Sequence, residues 1–231
     1  MADEAADGGH GFPDGFFDRF DDSPDARFYD QPRLVTHIDD RAVAAVGALY
    51  AELGVDGSAQ EPRRVLDLMG SWVSHFRVPP HELVVLGLNA AELAANPAAT
   101  ERVVRDLNAD PSLPFPDASF DAVVCCVSVD YLVRPVEVLR EVGRVLRPGQ
   151  PVVLTFSNRL FWTKAVRGWL EADEAGRCDI AAAYVRAAGG FDEPEVSLRT
   201  PRASAGDPLW AVVARRRGVA TAAADDGVSA G

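Results

Sequence analysis

Lysine is almost missing from this 231-residue sequence: Lys164 stands alone beside 22 arginines. The scarcity accompanies abundant alanine, matches a GC-rich coding bias and carries no functional meaning. Basic charge as a whole is outweighed, with 23 basic against 35 acidic residues and a net charge of −12, which argues against an electrostatic footprint on DNA, RNA or anionic lipid. Cysteine is scarce too. Of three in all, Cys125 and Cys126 are adjacent in an apolar run, so neither a disulfide framework nor a CxxC metal site is available and they read as buried small hydrophobes. His10, His37 and His81 show no ligand spacing with one another or with cysteine, and no metal is expected. No apolar run approaches the length of a membrane span, and Met1-Ala-Asp-Glu4 lacks the basic and apolar regions of a signal peptide. The expectation is a soluble, cytoplasmic protein without a membrane partner. A G-x-S-x-G elbow and a G-x-x-x-x-G-K-[ST] phosphate loop are both absent, which removes the hydrolase and phosphate-loop classes those motifs mark.

What is present suggests one domain between two polar ends. Residues 1–30 hold nine acids, two bases and five phenylalanines, Phe12, Phe16, Phe17 and Phe20 among them, broken by Gly and Pro, a composition that predicts a flexible arm. Its aromatics leave a docking role over the domain open. Residues 218–231 read as a disordered tail. The domain of 31–217 carries only −3 of the total charge, so acidity belongs mostly to the ends and the charge argument against nucleic acid is weaker for the domain itself.

Inside the domain, Leu34, Ile38, Val43, Val46, Leu49 and Leu53 predict a leading helix over Pro32 to Leu53. Short, nearly continuous apolar runs follow at Arg64–Leu68, Leu83–Leu88, Arg102–Arg105, Ala122–Val129 and Pro151–Phe156, the pattern of strands covered on both faces. Two later runs, Glu195–Arg199 and Leu209–Arg215, make seven. Helical patterns at Ala90–Asn96, Pro135–Leu146, Phe161–Glu171 and Ile180–Ala188 separate them. The alternation predicts an α/β fold: an αβα sandwich around a mostly parallel sheet, its ligand crevice at the carboxyl ends of the strands.

The middle of the chain carries a motif. Asp106-Leu-Asn, then Leu113-Pro-Phe-Pro-Asp-Ala-Ser-Phe-Asp121 and Val138-Leu-Arg-Glu-Val-Gly-Arg-Val-Leu-Arg-Pro-Gly149 resemble, in order and spacing, the class I S-adenosylmethionine-dependent methyltransferases of the type 11 kind. The resemblance runs from about Val65 to Arg215 and implies a Rossmann-like seven-stranded fold, with S-adenosylmethionine as cofactor. A tighter resemblance, through Asp67-Leu-Met-Gly-Ser-Trp-Val-Ser-His-Phe76, is to a divergent group in which an SWVSH-type loop regularly replaces the glycine-rich motif. Met69, Ser71 and Val73 occupy the three glycine positions here, and Gly70 stands between them.

The resemblance implies cofactor contacts from Asp67, Met69, Gly70, Ser71, Asn89, Asp106, Leu107 and Cys126. Asn89 stands where the family places the acid that binds the ribose hydroxyls, and has lost its charge. Asp106 and Leu107 match the adenine-binding pair. His75, Asp130 and Tyr131 fall where the acceptor would be met and are the catalytic candidates; Trp72, Asn158 and Trp162 are the acceptor-binding ones. Each has a structural alternative. Ser74 and Asp130 suit helix caps, His75 a bond to a nearby carbonyl, Trp72 a cover for the sheet edge, and Asn158 and Trp162 a cap and a core position. The N-P-P-aromatic signature of exocyclic-amine methyltransferases is missing at Val127-Ser-Val-Asp-Tyr131, which favours a small-molecule acceptor, or a protein residue, over nucleic acid. A methyltransferase-like scaffold without catalysis, acting as a binding or regulatory module, is the alternative, motivated by the joint loss of the glycines and the ribose acid.

Overall fold

A computed structural model describes residues 11–200 and 206–218. Seven strands form one sheet: β1 Arg64–Leu68, β2 Glu82–Gly87, β3 Glu101–Val104, β4 Ala122–Cys126, β5 Pro151–Phe156, β6 Glu195–Leu198 and β7 Trp210–Arg215. Their order is β3-β2-β1-β4-β5-β7-β6, with β7 antiparallel to both β5 and β6 and the remaining pairs parallel. The order reverses between β1 and β4, the place where open α/β sheets leave a crevice beyond the strand ends.

The period of two along each strand sorts the core into two layers. Leu66, Val84, Leu86, Val123, Cys125 and Leu154 enter one buried cluster, and Val65, Leu83, Val85, Ala122, Val124 and Val153 the other. Helices α4 (Pro135–Val145), α5 (Arg167–Glu171) and α6 (Glu174–Ala188) cover the first, through Val138, Val142, Trp169, Ala181 and Tyr184. Helices α2 (Asp40–Glu52) and α3 (Ala90–Ala95) cover the second, through Val46, Leu49, Tyr50 and Leu93.

Two helices are shorter than their periodicity predicts. The leading helix begins only at Asp40, because the Asp39 side chain accepts from the Ala42 N–H and caps it. Leu34, counted toward that helix, is exposed on a loop, as is Val35 beside it. The helix expected over Phe161–Glu171 begins at Arg167; before it, the Phe161 carbonyl accepts from both the Lys164 and Ala165 N–H groups in a tight turn.

Residues 11–30 pack on the domain instead of forming the expected flexible arm. Phe12, Phe16 and Phe17 cluster on Tyr184, with ring centroids 5.3, 6.5 and 6.1 Å away. Lys164, fully buried, donates to the Asp21 carbonyl at 3.0 Å and the Ser23 carbonyl at 2.6 Å. It also pairs with Asp25, which Arg19 pairs from the other side at 2.8 Å. Composition alone suggested mobility; these long-range aromatic and ionic contacts overcome it. A short helix, α1 (Asp25–Phe28), follows this anchor. The first ten residues of the expected arm and the expected tail from 219 onward lie outside the described residues.

Candidate active site

The ends of β1 to β4 and the chain from Asp25 to His37 enclose a cavity of about 280 Å³. Beyond β1, the chain turns sharply: Met69 is in the left-handed region at φ 56°, although it is not glycine. The turn brings the Gly70 N–H onto the Leu86 carbonyl at 2.9 Å. Gly87 is required beneath it, because a Cβ there would lie 2.1 Å from the Gly70 carbonyl oxygen. Val127, after β4, is also left-handed, at φ 46°. Strained backbone thus flanks the crevice at both central strands.

A polar network fixes the loop after β1. Ser74 Oγ donates to Asp67 Oδ2 at 2.5 Å and accepts from Asn96 Nδ2 at 3.0 Å, while Ser71 Oγ donates to Glu92 Oε2 at 2.5 Å. Asp67 is buried, and burial pushes its carboxyl up to about 7. His75 lines the cavity; burial, with the neighbouring His37, holds its imidazole below the usual range. Trp72 donates from Nε1 to the Val35 carbonyl at 3.1 Å. Ser74, foreseen as a helix cap, serves the loop instead.

Asn89 closes the end of β2. Its Oδ1 caps α3 by accepting from the Ala91 and Glu92 N–H groups, and its Nδ2 donates to the Tyr29 and Asp30 carbonyls at 2.7 and 3.2 Å. After β3, Asp106 Oδ1 accepts from the Asn108 and Ala109 N–H groups, which orients the carboxylate and leaves Oδ2 for a ligand. Leu107 and Cys126 line the cavity. Burial raises the Cys126 thiol to about 12, so it stays neutral. The Tyr131 hydroxyl accepts from the Phe161 N–H at 2.9 Å, and burial raises its pKa well above the ordinary value.

The cavity therefore brings together Asp67, Met69, Gly70, Ser71, Trp72, His75, Asn89, Asp106, Leu107, Cys126 and Tyr131. Three expectations fail. Asp130 does not line it: the side chain, in the 3-10 turn Val129–Tyr131, is buried with Oδ2 unpartnered, and burial raises its carboxyl to about 7. Successive side chains of a 3-10 turn stand about 120° apart, and of these two only Tyr131 lines the crevice. Asn158 is exposed outside it, where its Oδ1 accepts from Ser157 Oγ. Trp162 is 58% exposed and packs on Phe20, since Lys164 rather than Trp162 turns inward from this loop. In their place the cavity gains Tyr29, Arg33, His37, Glu92, Asn108 and Phe161. Asn108 ties three elements, donating to Asp25 at 2.7 Å and the Tyr131 carbonyl at 2.9 Å and accepting from the Val133 N–H. The signal available for this arm-borne half was the aromatic content of an acidic segment. Among the described residues, no group of three His, Cys, Asp or Glu is placed to hold a metal, and no helix is long and apolar enough to cross a membrane.

A family model described as a methyltransferase domain matches residues 70–154, from the loop after β1 to β5. No curated protein matches the chain. Among solved structures, the chain is similar to CalH, a trans-methyltransferase in complex with S-adenosylhomocysteine, at a TM-score of 0.55 and 15% identity; the match covers 76% of this chain and 57% of that one. The [4+2]-cyclase SpnF matches at 0.53 and 15%, over 77% and 82%. Phosphoethanolamine N-methyltransferase 2 of Haemonchus contortus, in complex with S-adenosyl-L-methionine, matches at 0.53 and 14%, over 84% and 60%. At such identities these structures speak for the fold alone. The seven-stranded sheet thus has the Rossmann-like fold of these methyltransferase structures, and residues 70–154 within it match the methyltransferase-domain model.

Proposed function

We propose that the protein is an S-adenosylmethionine-dependent methyltransferase acting on a small molecule held under the arm. The observation that carries this reading is the cavity at the carboxyl ends of β1 to β4, with an oriented carboxylate, Asp106, beside the buried Leu107. The donor set suits the cofactor: Asp106 Oδ2 and the Leu107 N–H for the adenine, Leu107 for its ring, and the loop of Asp67, Met69, Gly70 and Ser71, with Cys126 across from it, for the amino-acid end. Asn89 departs from the pattern, because its amide is engaged by α3 and the arm.

When bound, S-adenosylmethionine supplies a methyl group on a sulfonium sulfur, which an aligned nucleophile displaces in line. The chain's own part is alignment and proton removal. Neutral at pH 7, the His75 imidazole accepts a proton from an acceptor O–H or N–H. Tyr131 keeps its proton and donates a hydrogen bond to hold the acceptor. Trp72, fixed through Val35, walls the cavity, and the arm excludes water. The site is a cleft of about 280 Å³ partly covered by the arm, which supports a small acceptor over a polymer.

A second reading, a binding scaffold that transfers no methyl group, is favoured by Asn89. Calorimetry with S-adenosylhomocysteine separates the two. Micromolar binding, weakened tenfold or more by Asp106→Ala, is the expected result. No heat and no thermal shift at millimolar ligand would sink the enzyme reading.

A further inference from the structure

Arg33 reaches the cavity from the chain just beyond α1. Its guanidinium stacks on three rings, with Cζ 4.7 Å from the centroid of Phe28, 5.5 Å from Tyr29 and 5.4 Å from Phe161. Nη2 donates to the Phe28 carbonyl at 3.0 Å, and the Arg33 backbone N–H donates to Glu92 at 2.7 Å. The group is thereby held in one orientation before any ligand arrives. Its Nη1 is buried with no hydrogen-bond partner, and among the described residues the guanidinium makes no ion pair. The other two cavity arginines are neutralised, Arg105 by Asp110 and Arg159 by Asp207. A preoriented, unpaired guanidinium walled by rings is suited to a planar anion on an apolar body.

Two elements frame the guanidinium: α3, through Glu92, and the chain after β5, through Phe161. Around Phe161 lie His37 at 5.2 Å and Tyr131 at 6.0 Å between ring centroids. We propose that the acceptor is a flat carboxylic acid, its carboxylate received by Arg33 Nη1 and its body placed among Tyr29, His37 and Phe161. Calling this ligand the acceptor rests on the methyltransferase reading; the acid-binding subsite does not.

The test uses the full chain and two fluorinated probes followed by fluorine NMR, 4-fluorobenzoate and its neutral analogue 4-fluorobenzamide. The acid is expected to bind at least tenfold more tightly than the amide. Arg33→Met, which keeps a long apolar stem on the rings, should cut affinity for the acid at least tenfold, and Arg33→Lys should recover part of it. S-adenosylhomocysteine affinity should stay within twofold of wild type in Arg33→Met. Equal binding of acid and amide by the wild type overturns the proposal without recourse to any variant, as does no saturable binding of the acid at 10 mM. An Arg33→Met protein that loses S-adenosylhomocysteine but keeps 4-fluorobenzoate overturns it as well, by assigning Nη1 to the cofactor's own carboxylate. If the wild type binds the acid and ignores S-adenosylhomocysteine, the methyltransferase reading fails and the acid subsite stands.

Discussion

Asn89 Nδ2 donates to the Tyr29 carbonyl at 2.7 Å, which joins the end of β2 to a strap 60 residues earlier in the chain. The same side chain caps α3 through Oδ1. Asn89→Asp keeps the cap acceptor but sets a carboxylate against two carbonyl oxygens. The strap should loosen, seen as faster tryptic cleavage after Arg27 and Arg33. With a charged acceptor at the ribose position, S-adenosylhomocysteine should bind more tightly in calorimetry. Slower cleavage together with weaker binding would refute this view of Asn89.

Lys164 is the anchor of the strap and has no exposed surface. Lys164→Met removes a buried cation from Asp25 and Asp21 and leaves two arm carbonyls without a donor. The expected loss is about 3 kcal/mol in urea denaturation. Lys164→Met/Asp25→Asn should recover none of it, because Arg19 still compensates Asp25 in the single variant and loses that partner in the double one.

Asp67 and Asp130 titrate near 7 in the folded protein because burial disfavours their charged forms. Their folded values lie above the unfolded one, so the folded state holds more protons between about pH 4 and pH 7. Their contribution to stability is complete below the unfolded pKa and disappears as pH rises through 7. Asp130→Asn should therefore match wild type near pH 3 and exceed it near pH 8 in chemical denaturation. Because Asp130 lies outside the cavity, S-adenosylhomocysteine affinity should be unchanged. A variant less stable than wild type at pH 8 contradicts the account.

Gly87→Ala places a methyl group against the Gly70 carbonyl. The crossing is backbone on backbone, so relief requires moving the loop after β1. We expect a loss of about 2 kcal/mol in thermal or urea denaturation and a fall in S-adenosylhomocysteine binding larger than that of Gly54→Ala. Gly54 has open space around its Cβ position and serves as the control for glycine replacement, although its φ of 64° adds strain of its own.

Much of the fold was legible in the chain. The bounds of β1 and β5 coincide with the apolar runs at Arg64–Leu68 and Pro151–Phe156, because a strand buried on both faces leaves an unbroken apolar signature. The Asp106-Leu107 pair reads correctly for its position since it sits at a fixed offset from β3. The loop after β1 was legible in place, though not in conformation: a methionine at φ 56° breaks the local rule that would have named the turn.

By itself the sequence determined the strand and helix order, the sheet class and the crevice, since periodicity and burial are properties of neighbouring residues. Only the tertiary structure decided which side chains meet there. Tyr29 comes from a segment that reads as solvent-loving chain, Arg33 and His37 from one that reads as the start of a helix, and one lysine 143 residues from Asp21 holds the first of these in place. Asp130 and Tyr131, adjacent in sequence, part company because a 3-10 turn sends one into the core and the other to the cavity. Contacts at such separations depend on how all the layers pack, and no local pattern encodes them.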